Sequence, residues 1–340
     1  MNIQYYIILV IILHLLTISV SAQEVTKITF GSCLHQNSDQ PIWSSLKNEQ
    51  ADLFIFLGDN IYADTTNPKV MQAKYLKLAK QPGYQALLDQ TPVYATWDDH
   101  DYGQNDAGST NPIKKAAEQI FLDFFAIPED SPARLRPGIY QSYMLGSDDQ
   151  QVQLILLDTR YFRGTPVKHA SNEQCPATNY GQQLNKDESI LGEAQWAWLE
   201  QELKKPARLR IIASSIQVIP EDHCWEKWAN FPHERQKLFD LITRSQAKGI
   251  IFISGDRHFA EISKIQPDHV DYPLYEITSS GMNTKIYGKG EVNQHRVTDD
   301  NFREQNYGVI EIDWNDEDPN LALVIKNKSG ELLYRHNVEF

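Results

Sequence analysis

Acidic residues recur in this sequence immediately after apolar runs. Leu53–Leu57 is followed by Gly58-Asp59-Asn60-Ile61-Tyr62, and Val93–Thr96 by Trp97-Asp98-Asp99-His100-Asp101. Val152–Leu157 closes in Asp158-Thr159-Arg160, and Ile250–Ser254 in Gly255-Asp256-Arg257-His258. A fifth run, Ile28–Gly31, leads to Ser32-Cys33. Carboxylates packed together repel one another and are driven towards their neutral forms unless cations hold them. A site with more than one metal ion resolves that conflict. Thiolate, phenolate and imidazole donors favour iron, with zinc as second choice; an all-oxygen partner site favours calcium, with manganese and magnesium as substitutes.

For these residues to meet, the runs must be strands whose carboxyl ends share one rim. From Val25 onward short apolar runs alternate with amphipathic stretches, the pattern of an α/β layered fold. Helices cover both faces of such sheets and leave the crevice beyond the strand ends for ligands. Helices are expected over 42–50, 68–89, 114–125, 191–203 and 234–246, and further strands over 209–218, 274–278, 309–314, 321–326 and 332–340. In the last, Leu332, Tyr334, His336, Val338 and Phe340 are expected to alternate inward. The C-terminal portion is therefore β-rich. Residues 164–189 are polar, contain Gly, Pro and Asn, and form an inserted surface loop or lid. Nothing marks an internal boundary, so residues 24–340 make one catalytic domain.

With 45 Asp and Glu against 32 Lys and Arg, the net charge is −13, which argues against a nucleic-acid-binding surface. The first 22 residues contain no Asp, Glu, Lys or Arg. An apolar run from Tyr5 to Leu13 precedes Val20-Ser21-Ala22, which fits a cleaved signal peptide over 1–22; a retained membrane anchor is the alternative. No other segment has the length of an apolar span, so no stable membrane span is expected after cleavage. A secreted, periplasmic or cell-surface location follows. Export favours disulfides, and there are three cysteines. Cys175 and Cys224 lie in polar, Pro-containing loops and are expected to pair, leaving Cys33 for a separate task.

The blocks around Cys33, Asp59, Asp99, Asp158 and Asp256, with Leu191-Gly192-Glu193-Ala194-Gln195-Trp196, resemble in order and type the PhoD (alkaline phosphatase D) branch of the metallophosphoesterases, more distantly similar to purple acid phosphatases. The resemblance spans nearly the whole mature chain and implies a four-layer αββα sandwich. It implies iron (Fe3+) held by Cys33, Asp59, Tyr62 and His258. Asp59 would bridge to a second position, completed by Asp99 and Asp256 and occupied by calcium. His100 corresponds to the histidine that neutralises charge or protonates the leaving group, and Arg160 is assigned to phosphate contact.

Taken singly, these residues have plainer readings. Asp59 and Asp99 suit caps or turns, Tyr62 packing, Cys33 the core and His258 a structural role; their placement in matched blocks outweighs these. Trp225, Trp228 and Phe231, near His233, suit either a substrate wall or core packing. The implied activity is hydrolysis of phosphate monoesters, diesters or both by a hydroxide held at the metals, on a small-molecule phosphate ester and by a monomer. A phosphodiesterase with phospholipase-D-like headgroup release is the nearest alternative. A non-catalytic, metal-stabilised surface binding module is the alternative of another class.

Overall fold

The computed structural model describes residues 24–173, 175, 179–314 and 319–339. The expected leader over 1–22 and the terminal Phe340 lie outside them.

Two six-stranded sheets carry the fold. The first contains β1 (Lys27–Gly31), β2 (Leu53–Leu57), β3 (Val93–Thr96), β12 (Asn306–Asp313), β13 (Asn320–Asn327) and β14 (Leu332–Asn337), in the order β14-β13-β12-β1-β2-β3. The second contains β4 (Gln141–Leu145), β5 (Val152–Leu156), β8 (Leu209–Ser214), β9 (Ile250–Ser254), β10 (Ala260–Ile265) and β11 (Leu274–Ser279), in the order β10-β11-β9-β8-β5-β4. The short β6 (Val167–Lys168) and β7 (Tyr180–Gly181) pair with each other inside the 164–189 segment. β1, β2 and β3 run parallel, as do β5, β8, β9 and β11. The remaining pairings are antiparallel.

The central strands are apolar on both faces because both faces are covered. In β2, Leu53, Ile55 and Leu57 join a core between the two sheets, whereas Phe54 and Phe56 join an outer core. That outer core is closed by α1 (Ile42–Asn48), α2 (Pro68–Ala79), α3 (Pro82–Leu88) and α5 (Lys114–Phe124). In β9, Ile251 and Ile253 face the other sheet, while Ile250 and Phe252 pack with α6 (Gly192–Leu203) and α7 (Pro232–Ser245). The result is a four-layer αββα sandwich with antiparallel strands added at the C-terminal end of the chain. A single turn, α4 (Asp99–Tyr102), follows β3.

Two expectations change. The helix over 68–89 is two helices, because Pro82 cannot donate to a continuing ladder and instead opens α3. Leu332 is exposed, not inward. A register shift at Ile325/Lys326 pairs Lys326 with Leu332 and Ile325 with Tyr334, which skips Leu333 and breaks the alternation.

Candidate metal centre

Four of the expected site residues sit in left-handed backbone conformation: Cys33 (φ 59°), Asp59 (φ 51°), Asp256 (φ 66°) and His258 (φ 56°). Cys33, Asp59 and Asp256 each lie two residues past a parallel strand and His258 two residues further on, so the chain turns sharply at the rim. Such conformations cost about 1 kcal/mol or more apiece for residues other than glycine, and they cluster at functional sites. Two glycines permit the crowding. A Cβ on Gly58 (φ 96°) would lie 2.5 Å from the Cβ of Asp98, and one on Gly255 would lie 2.5 Å from Ser32 Oγ.

Donor atoms of Cys33, Asp59 and His258 lie within 4.8 Å of one another, as do those of Asp59, Asp99 and His100. Asp59 therefore belongs to both groups. Cys33 Sγ is 3.4 Å from Asp59 Oδ2, and Tyr62 Oη is 3.0 Å from His258 Nε2. Asp256 stands outside these groups but lines the same pocket as Asp59, Asp99, His100 and His258. The pocket has a volume of about 290 Å³. His258 is oriented from behind by the Lys285 carbonyl, 2.8 Å from Nδ1.

Burial pushes the Cys33 thiol up to about 11, and Asp256 adds to the rise. Burial also raises Tyr62, Asp59 and Asp256, the last to about 7. His258 is pushed down by burial, which keeps a ring nitrogen free to bind. Asp99 behaves differently. Its burial is outweighed by His100, Arg160 and the Asp106 N–H, 2.6 Å from Oδ2, which hold it below the usual carboxylate range. Its buried Oδ1 has no hydrogen-bond partner among the described residues. A thiol, a phenol and carboxyl groups pushed towards their neutral forms by burial and by one another, beside an unpartnered carboxylate oxygen, form a donor set that cations complete. Two of these donor groups could each hold a cation: Cys33, Asp59 and His258, with Tyr62 Oη beside His258, and Asp59, Asp99 and His100, with Asp256 lining the same pocket.

His100 lies over Tyr62 with ring centroids 4.2 Å apart, and its Nδ1 is 2.5 Å from Asp64 Oδ1. Burial pulls its pKa down, but Asp59, Asp99 and Asp64 outweigh burial and push it up to about 11. Cations at Asp59 and Asp99 would cancel most of that rise, leaving Asp64 as its steady partner.

Arg160 lies behind the pocket rather than in its wall. Its side chain is fully buried, with Nε 2.5 Å from Asp98 Oδ1, Nη1 2.9 Å from Glu226 Oε2 and Nη2 3.9 Å from Asp99 Oδ1. The arginine that lines the pocket is Arg257, held by Glu291 at 2.6 Å and 3.8 Å from Asp256 Oδ2. Cys175 and Cys224 form a disulfide with a Cα–Cα distance of 5.6 Å. It ties the 164–189 segment to the loop after β8. Trp225 lines the pocket, whereas Trp228 and Phe231 are buried in the core beneath α6 and α7.

Sequence reading gave no role to Asp64, Asp106, Arg257, Glu226 or Tyr287. Arg257 was visible inside a matched block, and Asp106 closes the turn-rich Gly103–Asp106 just after another. Glu226 carried no signal. It is placed by its ion pairs to Arg160 and Arg163 and contributes a third acidic group with Asp99 and Asp106.

A four-layer αββα sandwich with one carboxylate shared by two donor groups at its rim defines the metallophosphoesterase class. Residues 28–318 match the PhoD-like phosphatase family, and the chain belongs to that family. It is thus a metal-dependent phosphoesterase by family. Among solved structures it is similar to one described as the structure of PhoD, with 15% identity over 94% of this chain and 73% of that one and a TM-score of 0.71. It is also similar to GAP50, the anchor in the inner membrane complex of Plasmodium (14% identity, 94% and 90% covered, TM-score 0.58). A third is a dimetal phosphatase from Danio rerio (12%, 94% and 100%, 0.51). At these identities the likeness is one of fold. No curated protein sequence matches the chain.

Proposed function

We propose that this protein is an exported, monomeric, metal-dependent phosphoesterase that hydrolyses phosphate monoesters, diesters or both. The observation that carries the reading is the position of Asp59, shared between two donor groups where the ends of both sheets converge. Cys33, Asp59, Tyr62 and His258 would hold iron, and Asp59, Asp99 and Asp256 calcium. Bound there, the metals supply the positive charge that makes water nucleophilic at ordinary pH and that absorbs charge on the phosphoryl oxygens.

The chain's own groups do the rest. His100, steered by Asp64, donates a proton to the departing alkoxide. Arg257 offers its guanidinium at the pocket wall. Arg160 acts as a positioning residue, holding Asp98, Glu226 and Asp99 from behind. Export is supported by the apolar leader and by the Cys175–Cys224 disulfide, and it would bring the protein to where calcium is plentiful. No helix among the described residues is long and apolar enough to cross a membrane.

The test is turnover of p-nitrophenyl phosphate and bis(p-nitrophenyl) phosphate by the purified protein, before and after chelation and in Asp59→Ala. Loss of turnover in both cases is expected; turnover indifferent to both would reject the reading. Faster turnover of the diester would favour the phosphodiesterase alternative. The fold it shares with GAP50, described as an anchor, motivates the non-catalytic reading. That reading gains if the metal-loaded protein binds its metals but hydrolyses neither ester.

A further inference from the structure

Two large aromatic side chains stand exposed at the pocket, and the protein holds both in place. Trp225 is 38% exposed and Tyr287 51% exposed, yet both line the cavity that contains Asp59, Asp99 and His100. Trp225 lies in a restrained loop segment. Its neighbour Cys224 is bonded to Cys175, and the Cys224 carbonyl accepts from Tyr180 N at 2.9 Å. The Trp225 N–H donates to His223 Nδ1 at 3.2 Å, and its carbonyl accepts from the buried Lys227 Nζ at 3.1 Å. The backbone of Trp225 is thus fastened by a disulfide, a histidine and a lysine.

Tyr287 is held from the metal side. Its ring stacks on His258 with centroids 5.3 Å apart and planes 27° from parallel, and its N–H donates to the His258 carbonyl at 3.2 Å. The guanidinium of Arg257 lies between aromatic rings, its Cζ 5.3 Å from the Trp225 centroid and 5.4 Å from that of Phe259. Arg257 is buried, and its Nε has no hydrogen-bond partner among the described residues. One wall of the pocket therefore presents a cationic donor flanked by fixed aromatic faces.

We propose that Trp225 and Tyr287 form a stacking site for the alcohol portion of the substrate, and that the preferred esters carry a planar aromatic or heteroaromatic ring next to the phosphoryl group. The inference rests on the phosphoesterase reading in placing the phosphoryl group at the metals. Stacking a ring on an aromatic side chain is worth about 1–3 kcal/mol, and holding the side chains in advance avoids the cost of ordering them on binding. The same pocket brings both rings beside Asp59, Asp99 and His100, so the group they meet is the one attached directly to the phosphate.

The test is calorimetric binding of benzylphosphonate and ethylphosphonate to the metal-loaded protein. Both carry the same headgroup and neither can be hydrolysed. Benzylphosphonate is expected to bind roughly 10-fold more tightly. Trp225→Ala should erase most of that preference with a smaller change for ethylphosphonate, Tyr287→Ala should reduce it, and Trp225→Phe should retain it. Equal affinities in the wild type, or a preference that survives both alanine variants, would overturn the proposal. Turnover of p-nitrophenyl phosphate without ring preference sinks this inference alone. Ring preference without turnover of any ester sinks the phosphoesterase reading and leaves the stacking site standing.

Discussion

His100 Nδ1 lies 2.5 Å from Asp64 Oδ1, and Asp64 reaches it from a left-handed turn (φ 46°) two residues beyond Tyr62. The pair fixes which nitrogen of His100 points away from the pocket, as the carboxylate partner of a catalytic histidine does in other hydrolases. Asp64→Asn keeps the shape and removes the charge. A fall of roughly 10-fold in kcat with KM little changed is expected, larger for esters of poor leaving groups. Steady-state kinetics on p-nitrophenyl and alkyl phosphates measures it; an equal effect on both would show that Asp64 serves only the fold.

Arg160 and Arg257 are expected to separate cleanly. Arg160→Met leaves the buried Asp98 without its cation and Glu226 with Arg163 alone, and should cost about 3–5 kcal/mol of stability, read by denaturant unfolding. Arg257→Met strips Glu291 of its cation but leaves no fully buried carboxylate unpaired, so it should cost less stability than Arg160→Met while raising KM. If Arg160→Met unfolds like the wild type and loses only substrate affinity, the guanidinium reaches the phosphate after all.

The disulfide should matter to the pocket as well as to stability. It holds Trp225 and, through the Cys224 carbonyl, Tyr180, whose hydroxyl bonds to Asp106. Replacing both Cys175 and Cys224 by Ser should cost about 2–4 kcal/mol and raise KM several-fold with kcat less affected. Thermal unfolding and kinetics on the same preparation test both statements, and an unchanged KM would free the pocket wall from this restraint.

Glu276 on β11 accepts backbone N–H groups from Val218 at 3.0 Å and Ile219 at 2.6 Å, pinning the start of the loop that carries Trp225. Burial raises its pKa from 4.5 to about 7. An acid raised on folding stabilises the fold while protonated, so its contribution is complete below about pH 4.5 and is lost as pH rises through about 7. The change amounts to roughly 3 kcal/mol. Glu276→Gln should flatten the pH dependence of unfolding over this window, and a slope identical to wild type would contradict the assignment.

Much of the fold was readable because its central strands leave little choice. Leu53–Leu57 and Ile250–Ser254 are apolar at every position but the last, serine, in the second, which demands cover on both faces, and the Gly-Asp that ends each marks the rim. β4, Gln141–Leu145, escaped notice because it is an edge strand with partly exposed, mixed side chains. β10 was missed because it follows the Gly255–His258 turn without a fresh turn signal of its own. The site divides in the same way. Residues that follow strands, such as Asp59 and Asp256, announce themselves by position. Asp64, Asp106 and Glu226 come from loops, and their places depend on partners 36, 7 and 66 residues away in sequence. That Arg160 sits behind the pocket could not be read in this way either, because its ion pairs to Asp98 and Glu226 form only in three dimensions.

The central claim is that Asp59 serves two metal ions at once. Elemental analysis of protein purified without added metal, set beside Asp59→Ala prepared identically, tests it most directly. About two metal ions per chain in the wild type, at most one in Asp59→Ala, and phosphoesterase activity that falls with the metal content are predicted. A wild-type protein that hydrolyses phosphate esters while carrying no metal, or an Asp59→Ala variant that retains both ions, would contradict it.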